Sequence, residues 1–243
     1  MLIACIFDIH GNLPALEAAA SDAKARGAER LYYAGDLTGY GPFLDEVCTF
    51  LRMNKIPSVA GNYDLKVIDA ARLGKSAAVK IPPKKRKILK WTTRSLSGGS
   101  LRFLMGLNIQ RVITLPAKER LLIVHGSLLS LDDTIYPSGT ERGVMAKLGK
   151  GRPDVLVCGH THIHFVKRIS GVLVINYGST GYPVDGDARP AYALISLSKG
   201  LPPRARIIRF EYDLERTLSA LAGTSMPGSL KKDFALGIKR RSL

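Results

Sequence analysis

Five short apolar runs in this chain each end on Asp, Asn or His close to a glycine, and that placement constrains the fold more than any bulk property. The runs read "LIACIFD" from Leu2, "RLYYAGD" from Arg30, "IPSVAGN" from Ile56, "RLLIVHG" from Arg120 and "DVLVCGH" from Asp154; a sixth, "VLVINYGS", starts at Val172. Their length and content predict strands. Helical spacing separates them. Pro14 suits a first helical turn, Leu13, Leu16, Ala19 and Ala23 form one stripe, and Gly27 is the stop. Pro42 opens a second helix with Phe43, Val47, Phe50 and Leu51 on one side. Strand, helix, strand, helix is the pattern of an α/β layered domain.

Between Asp64 and Leu115 the strand pattern lapses. There "KKRKILKWTTRSL" and "SLRFLMGL" predict two helices joined at Gly98-Gly99, a helical insert of about residues 65–115 within a single domain of residues 1–243. "SKGLPPRARIIRFEYDLE" predicts a turn and an edge strand, and a last helix runs from Asp213 to about Leu221. An apolar content of 46% suffices for a buried core and excludes a disordered chain. The first run meets Asp8 after seven residues, too early for a signal peptide, and no apolar run has the length of a membrane span, so a cytoplasmic protein away from membranes is expected. Cys5, Cys48 and Cys158 are odd in number and set in apolar surroundings, as buried thiols are.

The charge is uneven. Lys75 to Arg120 holds twelve Lys or Arg residues and one acid, Glu119, and so carries +11 of the chain's +16. Such a block attracts nucleic acid or nucleotides, or forms a solvated helical face; composition leaves both open.

The five strand ends carry Asp8-x-His10, Gly35-Asp36, Gly61-Asn62, His125-Gly126 and Gly159-His160-x-His162. Ligands in layered α/β proteins gather beyond the carboxyl ends of strands, so the clusters can converge on one crevice. Asp, Asn and His make a mixed oxygen and nitrogen set suited to manganese, iron or zinc, and seven candidate ligands favour two ions over one. Glycine beside a ligand lets backbone approach closely. In "CGHTHIHF", His160, His162 and His164 alternate, which on an extended strand would turn all three to one face. Spacing alone does not say what they share.

These five blocks, with "GNYD", "WTTRSLS", "DGDARPAYALI" and "EYDLE", resemble the calcineurin-like metallophosphoesterase superfamily over most of the chain, in particular its small bacterial and archaeal phosphodiesterases. The resemblance implies a two-sheet β-sandwich flanked by helices, a four-layer α-β-β-α architecture. It implies one metal on Asp8, His10 and His162, a second on Asn62, His125 and His160, and Asp36 bridging them. Two such ions about 3.5–4 Å apart activate a water for in-line attack on phosphorus. The implied enzyme is a metal-dependent phosphoesterase, a hydrolase of phosphodiester or phosphoanhydride bonds in small nucleotide-type substrates.

One position departs from the family. Many members have His where this chain has Tyr63, and that His contacts phosphate and protonates the leaving oxygen. A phenol is the poorer donor, which tilts the expected substrate toward leaving groups already stable as anions, such as aryl esters or dinucleoside polyphosphates. Asp64, which usually orients that histidine, needs another partner, for which Lys66 is the candidate. Arg189 could reach a substrate phosphate or pair with Asp185 or Asp187; Tyr40 could stack on a base or pack under a loop. His164 matches no family ligand position. Two other readings stay open, a nuclease gripping a polynucleotide through the Lys75–Arg120 block, and a metal-binding scaffold with little turnover.

Overall fold

The computed structural model describes residues 1–73, 82–115, 118–149, 151–198 and 200–238. Lys75 and Lys80 of the basic block, and the residues of the C-terminal "IKRRSL" after Ile238, lie outside them. The first half runs β1 (Leu2–Phe7), α1 (Leu13–Ala25), β2 (Arg30–Ala34), α2 (Leu44–Met53), β3 (Ser58–Val59), α3 (Asn62–Leu73), α4 (Pro83–Arg94) and α5 (Gly98–Met105). The second half runs β4 (Gln110–Thr114), β5 (Arg120–Val124), α6 (Glu141–Ala146), β6 (Val155–Cys158), β7 (Phe165–Ile169), β8 (Val172–Asn176), β9 (Ala191–Ser196), β10 (Arg204–Arg209), α7 (Leu214–Ala222) and α8 (Ser229–Leu236).

The strands form two five-stranded sheets, ordered β10-β9-β1-β2-β3 and β4-β5-β6-β8-β7. Both are mixed: β1, β2 and β3 run parallel with β9 antiparallel beside β1, while β5, β6 and β8 run parallel between antiparallel edges. The two-residue period of each strand assigns its side chains to layers. Ile3, Cys5 and Phe7 of β1 meet Ile123, Val157 and Ile175 of the second sheet in one buried cluster between the sheets. Ala4 and Ile6 face the other way, into a cluster with Leu16, Val67, Ile88 and Leu230 from the helices. On the outer side of the second sheet, Leu122, Val124, Leu156 and Val174 pack with Val144 and Leu148 around α6. The order is helix, sheet, sheet, helix, as the four-layer expectation has it.

Several elements differ from the sequence reading. β4 lies inside the stretch expected to lack strands, and β7 and β9 were not anticipated; α8 adds a helix after α7. Gly98 and Gly99 do not join two helices but open α5, whose cap is Ser97, accepting the Ser100 N–H at 3.1 Å. A serine hydroxyl satisfies an orphan amide that glycine cannot, and so fixes the start. The β6 strand stops at Cys158, so the three alternating histidines do not share one extended strand. No helix among the described residues is long and apolar enough to cross a membrane.

Candidate metal centre

The backbone at the strand ends is unusual. Among the described residues, eight other than glycine have positive φ, and five of them are Asp8, His10, Asp36, His160 and His162, at 48°, 48°, 47°, 68° and 57°. Left-handed backbone costs such residues on the order of 1 kcal/mol each and persists only where the surroundings fix it. Here a hydrogen-bonded ladder continues past the strands: Asp8 N–H donates to Gly35 O (3.1 Å), His10 N–H to Asp36 O (2.8 Å), Gly159 N–H to His125 O (2.8 Å) and Gly181 N–H to Asp8 O (2.9 Å). The left-handed turns bring the functional side chains to one point.

All seven expected ligands meet there. Asn62 Oδ1, His125 Nε2 and His160 Nδ1 form a triangle with sides of 2.9, 3.2 and 3.2 Å. On the other side His10 Nε2 lies 3.2 Å from His162 Nε2, and Asp8 Oδ1 lies 3.6 Å from His162 and 4.0 Å from His10. Asp36 stands between the groups, with Oδ2 3.7 Å from His10 Nε2 and Oδ1 3.5 Å from His125 Nε2. Asp8, His10 and His162 form one buried cluster with metal-ligand spacing; Asp8, Asp36 and His125 form another.

The fit to cations follows from proton placement. His10 Nδ1 lies 3.0 Å from Thr38 O, and His162 Nδ1 lies 2.6 Å from Tyr182 O. A carbonyl only accepts, so each Nδ1 carries the proton and the two Nε2 atoms confront each other, a repulsive contact unless a positive charge lies between. Asn62 is oriented by the same reasoning. Its Nδ2 donates to Asp132 Oδ1 at 2.7 Å, which turns its oxygen toward His125 and His160. Donors about 2.1 Å from a divalent ion stand roughly 3 Å from one another, the spacing of this triangle. Burial pushes the His125 imidazole down to about 4, so it is neutral and available as a ligand at neutral pH.

Two glycines explain the close approach. A Cβ on Gly35, at φ +73°, would lie 2.1 Å from His125 Nδ1, and one on Gly61 would lie 2.2 Å from Asp36 Oδ1. Asp36 Oδ1 also takes the Tyr63 N–H at 2.7 Å, at the amino end of α3. Asp64 is fully buried beneath it. It accepts from Leu37 N, Thr38 N, Thr38 Oγ1 and Gly61 N at 3.2, 3.0, 2.8 and 3.0 Å, tying the Asp36 turn to the Gly61 turn. Burial and the neighbouring Asp36 carboxylate raise its carboxyl to about 6, against the pull of those donors.

Among the other residues Lys66 departs from expectation, whereas Arg189 and Tyr40 follow one of the alternatives open to each and His164 lies outside the ligand set. Lys66 does not meet Asp64; its Nζ bonds Asp132 Oδ1 at 2.8 Å. Arg189 pairs with Asp187 at 2.7 Å and is not among the described residues lining the crevice. His164 turns away to Asp185 at 3.1 Å. Tyr40 packs in the loop, stacked on Tyr182 with ring centres 4.6 Å apart and edge-on to His10 with ring centres 4.8 Å apart. Burial, then Tyr40, hold the Tyr63 hydroxyl well above the usual phenol range. Sequence reasoning missed Asp132 and the carbonyls of Thr38 and Tyr182; the latter two are backbone groups that residue identity does not report.

Above the centre opens a crevice of about 590 Å³, of the size that takes small ligands. Its walls include Lys66 of α3, Pro82 at the cap of α4, Lys85 and Leu89 along that helix, and Tyr136.

Known proteins share this frame. An uncharacterized protein of Methanocaldococcus jannaschii is 27% identical over 256 aligned residues, 97% of this chain and 98% of that one. The crystal structure of a metallophosphoesterase from Sphaerobacter thermophilus superposes with a TM-score of 0.77 at 28% identity, covering 98% of this chain and 99% of its own. A hypothetical protein from Pyrococcus horikoshii OT3 shares the fold at a TM-score of 0.83 and 22% identity, with the same coverage. The calcineurin-like phosphoesterase superfamily domain matches residues 1–200, which include every strand end described above. The chain therefore belongs to the calcineurin-like phosphoesterase superfamily and is a metallophosphoesterase whose buried Asp and His clusters form its metal site.

Proposed function

We propose that this protein hydrolyses phosphodiester or phosphoanhydride bonds of small nucleotide-type substrates at a two-metal centre, with manganese, iron or zinc as the ions. Asp8, His10 and His162 would hold one ion and Asn62, His125 and His160 the other, with Asp36 placed to reach both. The observation that carries this reading is the position of Asp36, which has one oxygen within 3.7 Å of the His10 imidazole and the other within 3.5 Å of the His125 imidazole. When bound, such a pair of ions supplies an activated water and neutralises charge on phosphorus oxygens.

The protein's own groups set geometry and proton traffic. The Thr38 and Tyr182 carbonyls keep the His10 and His162 protons on Nδ1, and Asp132 keeps the Asn62 oxygen inward. Asp64 fixes the two turns that present Asp36 and Asn62. Tyr63 frames the crevice, and because its proton is held above the usual phenol range it gives little help to a departing alkoxide. Substrates whose leaving group is stable as an anion lose least by that. Arg189, held by Asp187, takes no part in this scheme.

The test is turnover of bis-p-nitrophenyl phosphate, p-nitrophenyl phosphate and a dinucleoside polyphosphate with manganese, zinc or a chelator. Hydrolysis of the diester and the anhydride should exceed that of the monoester and vanish with chelator. Failure to turn over any substrate with any of these metals overturns the enzyme reading.

A further inference from the structure

We infer that Lys85 forms a second anion subsite in the crevice, for a phosphate other than the one at the metal centre, so that the preferred substrate carries two linked phosphates. The inference rests on the phosphoester reading above and assigns the part of the substrate that the metal ligands do not touch.

Three lysines near the crevice differ in what they do. Lys66 is spent on Asp132 at 2.8 Å, and Lys84 reaches the buried Asp233 of α8 at 3.6 Å. Lys85 lines the same crevice as His10, Asp36, Asn62 and His162, and among the described residues it forms no ion pair. A lysine in a first helical turn opposes the helix dipole, and the first turn of α4 holds no acid to offset it. Helix stability therefore does not account for the residue; a solvated lysine would, but α4 gives the backbone under this exposed side chain a fixed bearing beside the crevice.

That bearing comes from both ends of the helix. Asp233, fully buried, accepts from Tyr182 Oη at 3.1 Å on the same oxygen that faces Lys84, so the residue next to Lys85 is pinned to α8. Farther along, the buried Thr92 donates to Gly39 O at 3.1 Å, in the loop that also supplies the Thr38 carbonyl to His10. Ile88 and Leu89 bury the face between. The helix is thus docked on the metal-ligand turns, and its uncommitted cation faces the crevice. An ammonium is a compact point charge matched to a phosphate oxygen, and a crevice of about 590 Å³ suits a small polyphosphate rather than a polymer.

The experiment compares inorganic phosphate with pyrophosphate, the latter as its non-hydrolysable methylene analogue, as ligands of the manganese-loaded protein by titration calorimetry. Wild type and Lys85→Gln are measured in one buffer, so chelation by pyrophosphate cancels in the ratio. Wild type should prefer pyrophosphate, and Lys85→Gln should lower that preference by about tenfold, the scale of one charge-assisted contact. Lys84→Gln, which frees the helix start but keeps Lys85, should lower it by a smaller factor. An unchanged ratio in Lys85→Gln overturns the subsite, and an unchanged ratio in Lys84→Gln overturns the anchor. If wild type binds neither anion, the phosphoester reading itself fails. A single-stranded oligonucleotide that depends on Lys85 more steeply than pyrophosphate does would overturn the small-ligand form of the proposal.

Discussion

The floor of the crevice and its rim are held by different forces. On the floor, Asp8, His10, Asp36, His125 and His162 are all buried, and left-handed backbone is locked by main-chain hydrogen bonds. On the rim, Lys85 is exposed on a helix surface and Lys66 joins Asp132 in an ion pair open to solvent. Buried donors with fixed bearings can meet a metal's geometric demands, whereas exposed lysines can be changed one at a time without disturbing the fold. Under the proposed function the floor would hold the metal chemistry and the rim the choice of substrate.

The largest effect should come from adding a single methyl group to the floor. Gly35→Ala places a Cβ 2.1 Å from His125 Nδ1, at a φ of +73° that alanine adopts poorly. Overlap and backbone strain together should cost at least about 3 kcal/mol and expel the ring from its place. Thermal unfolding and metal content measure both. Lys85→Gln, a rim change, should shift stability by no more than about 0.5 kcal/mol. Equal losses in the two variants would erase the distinction.

A smaller effect tests the boundary between floor and rim. Asp132 belongs to the rim by exposure but orients a floor residue, Asn62. Asp132→Asn keeps the shape and removes the obligate acceptor, so the Asn62 amide can turn over and present nitrogen to the site. Affinity for the ion proposed for Asn62, His125 and His160 should fall between about tenfold and a hundredfold, while that proposed for Asp8, His10 and His162 should stay. Metal stoichiometry near one at limiting concentration is the expected reading; two ions retained at wild-type affinity would show that Asp132 is only a surface partner of Lys66.

What the sequence disclosed follows the same division. The floor was legible because its signals are local: a ligand, a glycine and the end of an apolar run stand within three residues, as in Gly35-Asp36 and Gly159-His160. Its support was not, since Thr38 and Tyr182 act through carbonyls and Asp132 lies in a loop that no strand introduces. In the fold, β4 and β7 escaped notice because they are edges; three of the five residues of each are exposed, so neither shows a clean apolar alternation. β9 is buried almost throughout, but "AYALIS" carries two alanines, which favour helix over strand by propensity. The length of β3, two residues, was set by where the Gly61 turn must begin, a tertiary demand.

The smallest expected effect falls on Tyr63, which belongs to both regions: its N–H binds Asp36 on the floor while its ring lines the crevice. Tyr63→His leaves the main-chain bond intact and replaces a phenol held above its usual range by an imidazole that can carry a proton near neutral pH. The ring is smaller, so contact with Tyr40, now 5.5 Å between centres, weakens and stability drops by about 1 kcal/mol. Proton donation matters most where the leaving group is a poor anion. The rate on an alkyl monoester should therefore rise about tenfold relative to that on bis-p-nitrophenyl phosphate, less than a fully built general acid supplies. Asp64, the carboxylate next in sequence, is already occupied by four donors from the Asp36 and Gly61 turns. Equal changes on both substrates would mean that the residue at 63 shapes the crevice without touching the proton, and the floor alone would then account for the chemistry.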